Sequence, residues 1–348
     1  MLVEPNPSAM GPEISDELQR ARKLADLHRL RALLTGTSVV DSEAMAVPDR
    51  DAVDHHLRLC EFDTDNPLDL SRLRGLLADA IAYLRDLHHY EFPLAIEEPE
   101  SIHDVFMLAA LGTPHERHLA ITCIKVMHIL HHIAGQEVVH TAAVSEVELV
   151  DRLNTKVLRV VDQLRTDGVG IVEWAAGKKT KHSLVTKLLA KRETLASRIF
   201  DRLRYRIVTR DRRNLVLAIV GLADRLVPFN YVVPGQSQNG ILSLNDVADA
   251  LELDHDLVAS ILRSGNFGDA PTPQNEFSGA TYRCANFVAD IPIRLDDHVA
   301  GPAIAFVQAE FQLVDEETND NNNQGDNAHG AYKARQLAVV KRRLERLR

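Results

Sequence analysis

The chain has 348 residues, 45% of them hydrophobic and 26% charged, enough to bury a full core and to form about two domains. A formal net charge of −10 weighs against broad affinity for a nucleic-acid backbone, and no apolar segment has the length of a membrane span. Three widely separated cysteines, Cys60, Cys123 and Cys284, without C-x-x-C spacing argue against a disulfide scaffold and a thiolate zinc site.

The first thirty residues carry acids, prolines and charged pairs rather than a basic leader and an apolar run, so no signal peptide is expected and the expected location is cytoplasmic. A helical run spans Ile14 to Leu34 and ends near Gly36. From Leu70 to about Leu164 apolar residues recur at helical spacing. Leu70, Leu73, Leu76, Leu77, Ile81 and Leu84 form one stripe; Ile121, Ile124, Val126, Ile129, Leu130 and Ile133 form another. Residues 1–165 therefore read as an all-helical accessory domain. Twelve of the 16 histidines lie before position 141, and His128 and His132 share a helix face with His131 and His140 near. That can be zinc-ligand spacing, but no H-E-x-x-H accompanies it, and partly buried helix histidines are the plainer reading.

The texture changes after Gly168. Between Gly177 and Arg213 the chain holds 13 Lys and Arg against three acids, Glu193, Asp201 and Asp211. Such an island in an acidic protein suits an anionic partner, although a solvated charged face is the ordinary explanation of a charge run. Ile199 to Thr209 is strand-like, Arg213 to Leu226 an amphipathic helix, and Tyr231 to Val233 a short β-type run. Leu242 to Arg263 reads as two short helices with Ser243 and Asp246 at capping-box spacing; its acids exclude DNA binding. Two strands follow. Tyr282 to Leu295 puts Tyr282, Cys284, Asn286, Val288 and Asp290 on one face, and Phe306 to Val314 alternates Gln308, Glu310 and Gln312 with apolar residues. Asp315 to Ala328 reads as a low-complexity polar loop, and Tyr332 to Arg348 as a basic helix. Residues 166–335 thus form an α+β domain with a helical insertion at 242–264, followed by a basic C-terminal helix at 336–348.

Within the island Lys179, Ser183 and Lys187 are spaced i, i+4, i+8. With Ser183 opening a helix they can cradle a triphosphate, the ammonium groups and helix N-terminus sharing the charge. No Walker loop is present. Asp201 lies among Arg198, Arg202, Arg204 and Arg206, either as an ion-pair partner or as a metal ligand beside phosphate-binding cations. Glu310 meeting Asp201 across a sheet would complete a carboxylate pair for Mg²⁺.

The order Lys179-Ser183-Lys187, then Asp201 with Arg206, then Glu310-Phe311-Gln312-Leu313, then Gly325 to Lys333 (GDNAHGAYK) resembles the synthetase domain of RelA/SpoT-type (p)ppGpp enzymes over about residues 170 to 335. The resemblance implies a nucleotidyltransferase-like mixed sheet with flanking helices and pyrophosphate transfer from ATP to a 3′-hydroxyl. It implies that Lys179, Ser183 and Lys187 hold ATP phosphates, that Asp201 and Glu310 hold Mg²⁺, that Arg206 supports the site, and that Glu310 is the general base. Gln312 and His329 fall in the matching motifs and are expected at the substrate.

The chain departs from that pattern in two places. Gly177 stands where the family has an Arg, with Lys178 and Lys181 near enough to supply charge but not planar stacking. The family's acceptor loop, N-G-Y-Q-S-L-H, becomes Asn239 to Asn245, NGILSLN, without the Tyr or the His. Either that loop is the acceptor element or Tyr282 and Asn286 replace it; the second is favoured because Tyr282 leads into a strand able to pair with the one carrying Glu310. The acceptor is then a guanosine nucleotide or an RNA 3′ end such as that of tRNA, and a homo-oligomer is compatible with the sequence. His103-Asp104 has no companion ligands at the spacing of the family's hydrolase half, so degradative activity is not expected. A catalytically inactive nucleotide-binding regulator with the same fold is the alternative, and a helical scaffold a third reading.

Overall fold

In α3 (Pro67–His88) Leu73, Leu77, Ile81 and Leu84 of the expected stripe are buried together with Asp69 and Ala80, Leu70 and Leu76 are partly exposed, and Asn66 caps the N-terminus. The computed structural model describes residues 12–36, 45, 47–141, 144–178, 180–190, 203–228, 231–262, 281–295, 303–324 and 329–345. Contacts divide the chain into two compact units, Met1–Arg29 with Ser42–Ile133, and Leu30–Asp41 with Ala134–Arg348. The division falls inside α1 (Pro12–Thr35) and inside α6 (Pro114–Thr141).

The first unit is helical among its described residues. Besides α3 it holds α2 (Arg50–Leu59), capped by Asp49, the short α4 (Leu94–Glu97), and α5 (Ile102–Leu111), which a Ser101/Asp104 capping box opens. In α6 the buried stripe keeps Ile121 and Ile124 of the expected one and departs from it after them. Ile129 and Ile133 are exposed, while Ala120, Cys123, Ile124, Met127, His128 and His131 are buried. The apolar period runs i, i+3, i+4, i+7 through two histidines, which the expected stripe of aliphatic residues left out.

The second unit is built on a mixed sheet of order β1-β2-β5-β4-β3. Its strands are β1 (Ile171–Lys178), β2 (Leu203–Thr209), β3 (Gln238–Asn239), β4 (Ala285–Arg294) and β5 (Ile304–Asp315). β2 and β5 are parallel neighbours; the other pairs are antiparallel. The expected mixed α+β fold is the observed one. Of the run from Tyr231 to Val233 only an isolated bridge, Val232 to Ala289, joins the sheet.

Alternation sorts the residues of the central strands onto two faces. Tyr205, Phe311 and Phe287 stack across β2, β5 and β4 on one face, with ring centroids 5.3 and 5.2 Å apart. That face is covered by α7 (Glu146–Thr166) and α9 (Arg212–Arg225). Tyr205 anchors the layer by donating to Asn154 Oδ1 of α7 at 2.7 Å. The stripe Leu149, Leu153, Val157, Val160, Val161 and Leu164 is the face that α7 buries within the sheet's unit. Gly221 of α9 lies against Leu164, closer than a Cβ would allow without rearrangement.

The remaining described elements are α8 (Lys181–Ala190), α10 (Leu244–Leu251), α11 (His255–Leu262), α12 (Glu316–Asn322) and α13 (His329–Glu345). The pair α10–α11 matches the two short helices expected there, with the Ser243/Asp246 capping box formed. α12 lies within the stretch expected to be a loop. Asp315 caps it by accepting from the Thr318 N–H, and acids in its first turn complement the helix dipole. α13 packs on α8, with Ala190 and Val340 in a small core beside Tyr332 and Val339.

Candidate functional site

The other face of the sheet is polar. β5 contributes Gln308, Glu310 and Gln312, and the parallel register sets Arg204 opposite Glu310 and Arg206 opposite Gln312. Glu310 and Gln312 are buried, not half-exposed as alternation alone suggested, because the arginines of β2 partner them. An unpartnered buried carboxylate would cost several kcal/mol. Here Arg204 Nε donates to Glu310 Oε2 at 2.7 Å. Among the described residues the arginine takes only Oε2 of the carboxylate, which leaves Oε1 for another group.

Arg206 is held from two sides, donating to Gln312 Oε1 at 3.1 Å and to Asn319 Oδ1 of α12 at 2.6 Å. Gln312 in turn donates to the Tyr282 hydroxyl at 2.7 Å and lies 3.7 Å from Cys284 Sγ. Burial raises the Tyr282 hydroxyl to about 12, with Arg206 and Arg204 pulling the other way, and raises the Cys284 thiol to about 11. Both stay protonated at neutral pH. Asn286 sits across from Gln312 on β4, and its buried Oδ1 has no hydrogen-bond partner among the described residues. Farther along the face Gln308 donates to Asp290 at 3.1 Å.

The expected residues Glu310, Arg206, Gln312, Tyr282 and Asn286 thus share one polar face. Lys179 and Asp201 lie outside the described residues, as do the side chains of Lys181, Lys187 and His329. Ser183 is on α8 but does not open it. The helix starts at Lys181, and Thr180 Oγ1 accepts from the Ser183 N–H at 3.3 Å while its hydroxyl contacts Ser183 Oγ at 3.1 Å. A threonine just before the helix does the capping that the serine was expected to do. Gly177 pairs with Arg204 near the end of β1, so α8 starts close in sequence to the sheet position beside Arg204.

The two acceptor elements left open by the sequence prove to be neighbours. Gln238 pairs with Asn286 and Asn239 with Ala285. Asn239 itself is spent on its own turn, its side chain bonding Ile241 and Leu242, so Tyr282 and Asn286 are the members that face the polar network. Sequence reasoning missed Arg204 as the partner of Glu310, since 106 residues separate them, and missed Asn319 inside an apparent loop.

No protein-family model matches the chain, and no curated protein matches it. Among solved structures it is similar to small alarmone synthetase 1 from Bacillus subtilis, at 13% identity over 57% of this chain and 86% of that one, with a TM-score of 0.32. It is likewise similar to small alarmone synthetase 2 from Bacillus subtilis, at 17% identity over 56% and 89% with a TM-score of 0.30. A GTP pyrophosphokinase family protein from Streptococcus pneumoniae matches at 13% identity over 57% and 83%, with a TM-score of 0.25. Likenesses this distant carry nothing about activity or substrate. By the order of its motifs the chain resembles a divergent RelA/SpoT-type synthetase.

Proposed function

We propose that the polar face of the sheet binds nucleotides and that the chain is a pyrophosphokinase-like enzyme, transferring pyrophosphate from ATP to the 3′-hydroxyl of a guanosine nucleotide or an RNA 3′ end. The observation that supports it best is Glu310. It is a buried carboxylate between cationic neighbours, on the same face as Arg206, Gln312 and Asn286, with one oxygen not taken by Arg204. The described residues fit a polyphosphate directly through the two guanidinium groups. For a divalent ion they offer one carboxylate, the second being Asp201.

In this reading Glu310 orients the attacking hydroxyl and accepts its proton. Arg204 and Arg206 offset phosphate charge, joined by Lys179, Lys181, Ser183 and Lys187 from the start of α8. Asn286 accepts from a donor on the acceptor nucleotide, and Tyr282, Gln312 and His329 bound the same pocket. Mg²⁺ held by Glu310 and Asp201 would supply further neutralisation along the polyphosphate.

A second reading rests on the same ion pair. Arg204 occupies Glu310 Oε2, which suits a nucleotide-binding regulator that kept the fold without the chemistry. Incubation with γ-labelled ATP, Mg²⁺ and GDP, GTP or tRNA separates the two. Transfer lost in Glu310→Gln and Asp201→Asn supports the enzyme. ATP binding with no transfer to any acceptor supports the regulator, and no nucleotide binding at all rejects both.

A further inference from the structure

The core face of α2 follows helical spacing from Val53 through Leu57, but two of its positions are His56 and Cys60. They are four residues apart and so share a side of the helix. On α6 the core stripe likewise includes His128. All three lie in the first unit and are buried, with 3%, 1% and 7% of their surface exposed. One ligand atom from each lies within 4.8 Å of the other two, and Cys60 Sγ is 4.0 Å from His56 Nε2. The rings of His56 and His128 meet edge to face, 5.6 Å between centroids.

We propose that His56, Cys60 and His128 bind a d¹⁰ metal ion, with Zn²⁺ as the first candidate, tying the C-terminal end of α2 to α6. Imidazole and thiolate are the donors such ions select over Mg²⁺ or Ca²⁺. Tetrahedral coordination at metal–nitrogen distances of about 2.0 Å and a metal–sulfur distance of about 2.3 Å brings donors to roughly 3.5 Å of one another, a contraction of about 1 Å from the present spread. The backbone holds Cys60 firmly for that role. Its N–H bonds to His56 O at 3.2 Å, the chain reverses at Glu61 with φ 64°, and Phe62 N bonds back to Leu57 O at 2.9 Å. His131, one turn beyond His128, is buried with its ring 4.7 Å from that of Phe62, packing against the segment that follows Cys60.

The chemistry balances. Each imidazole offers one ring nitrogen lone pair to the ion. Cys60 gives up its proton to solvent on binding, and the thiolate offsets one charge of the ion in a core that tolerates little net charge. The absence of paired cysteines argued against a thiolate site; one thiolate with two imidazoles from separate helices is a different pattern, and only the fold assembles it.

The test uses the full chain and no nucleotide readout, so its outcome is independent of the proposed activity. Elemental analysis after dialysis against EDTA is expected to find about one zinc or copper per chain. Cobalt titrated into the metal-free protein is expected to give a thiolate-to-cobalt charge-transfer band with low-coordinate d–d bands. The charge-transfer band should vanish in Cys60→Ser and persist in Cys123→Ser and Cys284→Ser. Should Cys60→Ser fail to fold, the melting temperature of the wild-type chain, expected to rise by several degrees with zinc, decides instead. A wild-type chain that retains neither metal and gives no cobalt band overturns the site, as does a charge-transfer band that survives in Cys60→Ser.

Discussion

Arg204 and Glu310 face each other on neighbouring parallel strands, and the guanidinium Nε donates to Glu310 Oε2 at 2.7 Å. The carboxylate is buried while the arginine side chain keeps 37% of its surface exposed. Removing the arginine leaves the carboxylate in the sheet without its cation. Arg204→Ala is therefore expected to lower stability by about 1–2 kcal/mol, the low end for a buried pair because solvent screens the arginine. In urea unfolding the double variant Arg204→Ala/Glu310→Ala should lose less than the sum of the two single changes.

Asn286 offers a buried carbonyl oxygen with no hydrogen-bond partner among the described residues. Its replacement should cost binding more than folding. Asn286→Leu is expected to change the melting temperature little and to weaken nucleotide binding by about 10-fold or more, read by calorimetry with GDP and GTP. Unchanged binding would remove Asn286 from the site.

Gly177 stands on β1 opposite Arg204, where a Cβ would meet only the Arg204 carbonyl oxygen at 3.9 Å, an ordinary contact. Gly177→Arg is expected to fold and to gain roughly 0.5–1 kcal/mol from the loss of glycine's backbone freedom in a strand. If an ATP base lies against this edge, the planar guanidinium also tightens ATP binding, which a titration of ATP against both proteins measures.

Asp315 caps α12 and is paired with Arg212 from the start of α9. Burial pushes its carboxyl up, but hydrogen bonds from Thr318 and the Arg212 guanidinium outweigh it and hold the group below the usual range. A carboxyl lowered on folding contributes stability that is full above its unfolded pKa, about 4, and is lost as pH falls through the folded value. Asp315→Asn should therefore destabilise by about 1–3 kcal/mol at pH 7, with the gap to wild type closing below about pH 4 in pH-dependent urea melts.

Much of this was readable from residue spacing, and the exceptions share a cause. The stripe of α3 and the capping box of α10 are local patterns, and the structure keeps both. The polar alternation of β5 was equally plain, but its meaning was not, because the arginines that bury Glu310 and Gln312 come from a distant strand. β1 was not anticipated, since only Ile171 of its residues is buried and an edge strand of that kind carries no apolar rhythm. α12 was hidden by polar composition, its helix resting on one capping aspartate and favourable charge at its first turn. Partial burial was the plainer reading of the histidines of α6, and His128 and His131 are buried.

The central pairing of β2 with β5 has a consequence for how the molecule is made. These strands lie side by side, yet Arg204 and Glu310 are 106 residues apart, with α9 to α11, β3 and β4 between them. Closing so long a loop before any contact rewards it slows folding, as high contact order does generally. During synthesis the first half of the polar face must wait, with its arginines exposed, until β5 has emerged. The site is thus among the last features of the second unit to form, and a chain ending before residue 304 would carry the basic half of it alone.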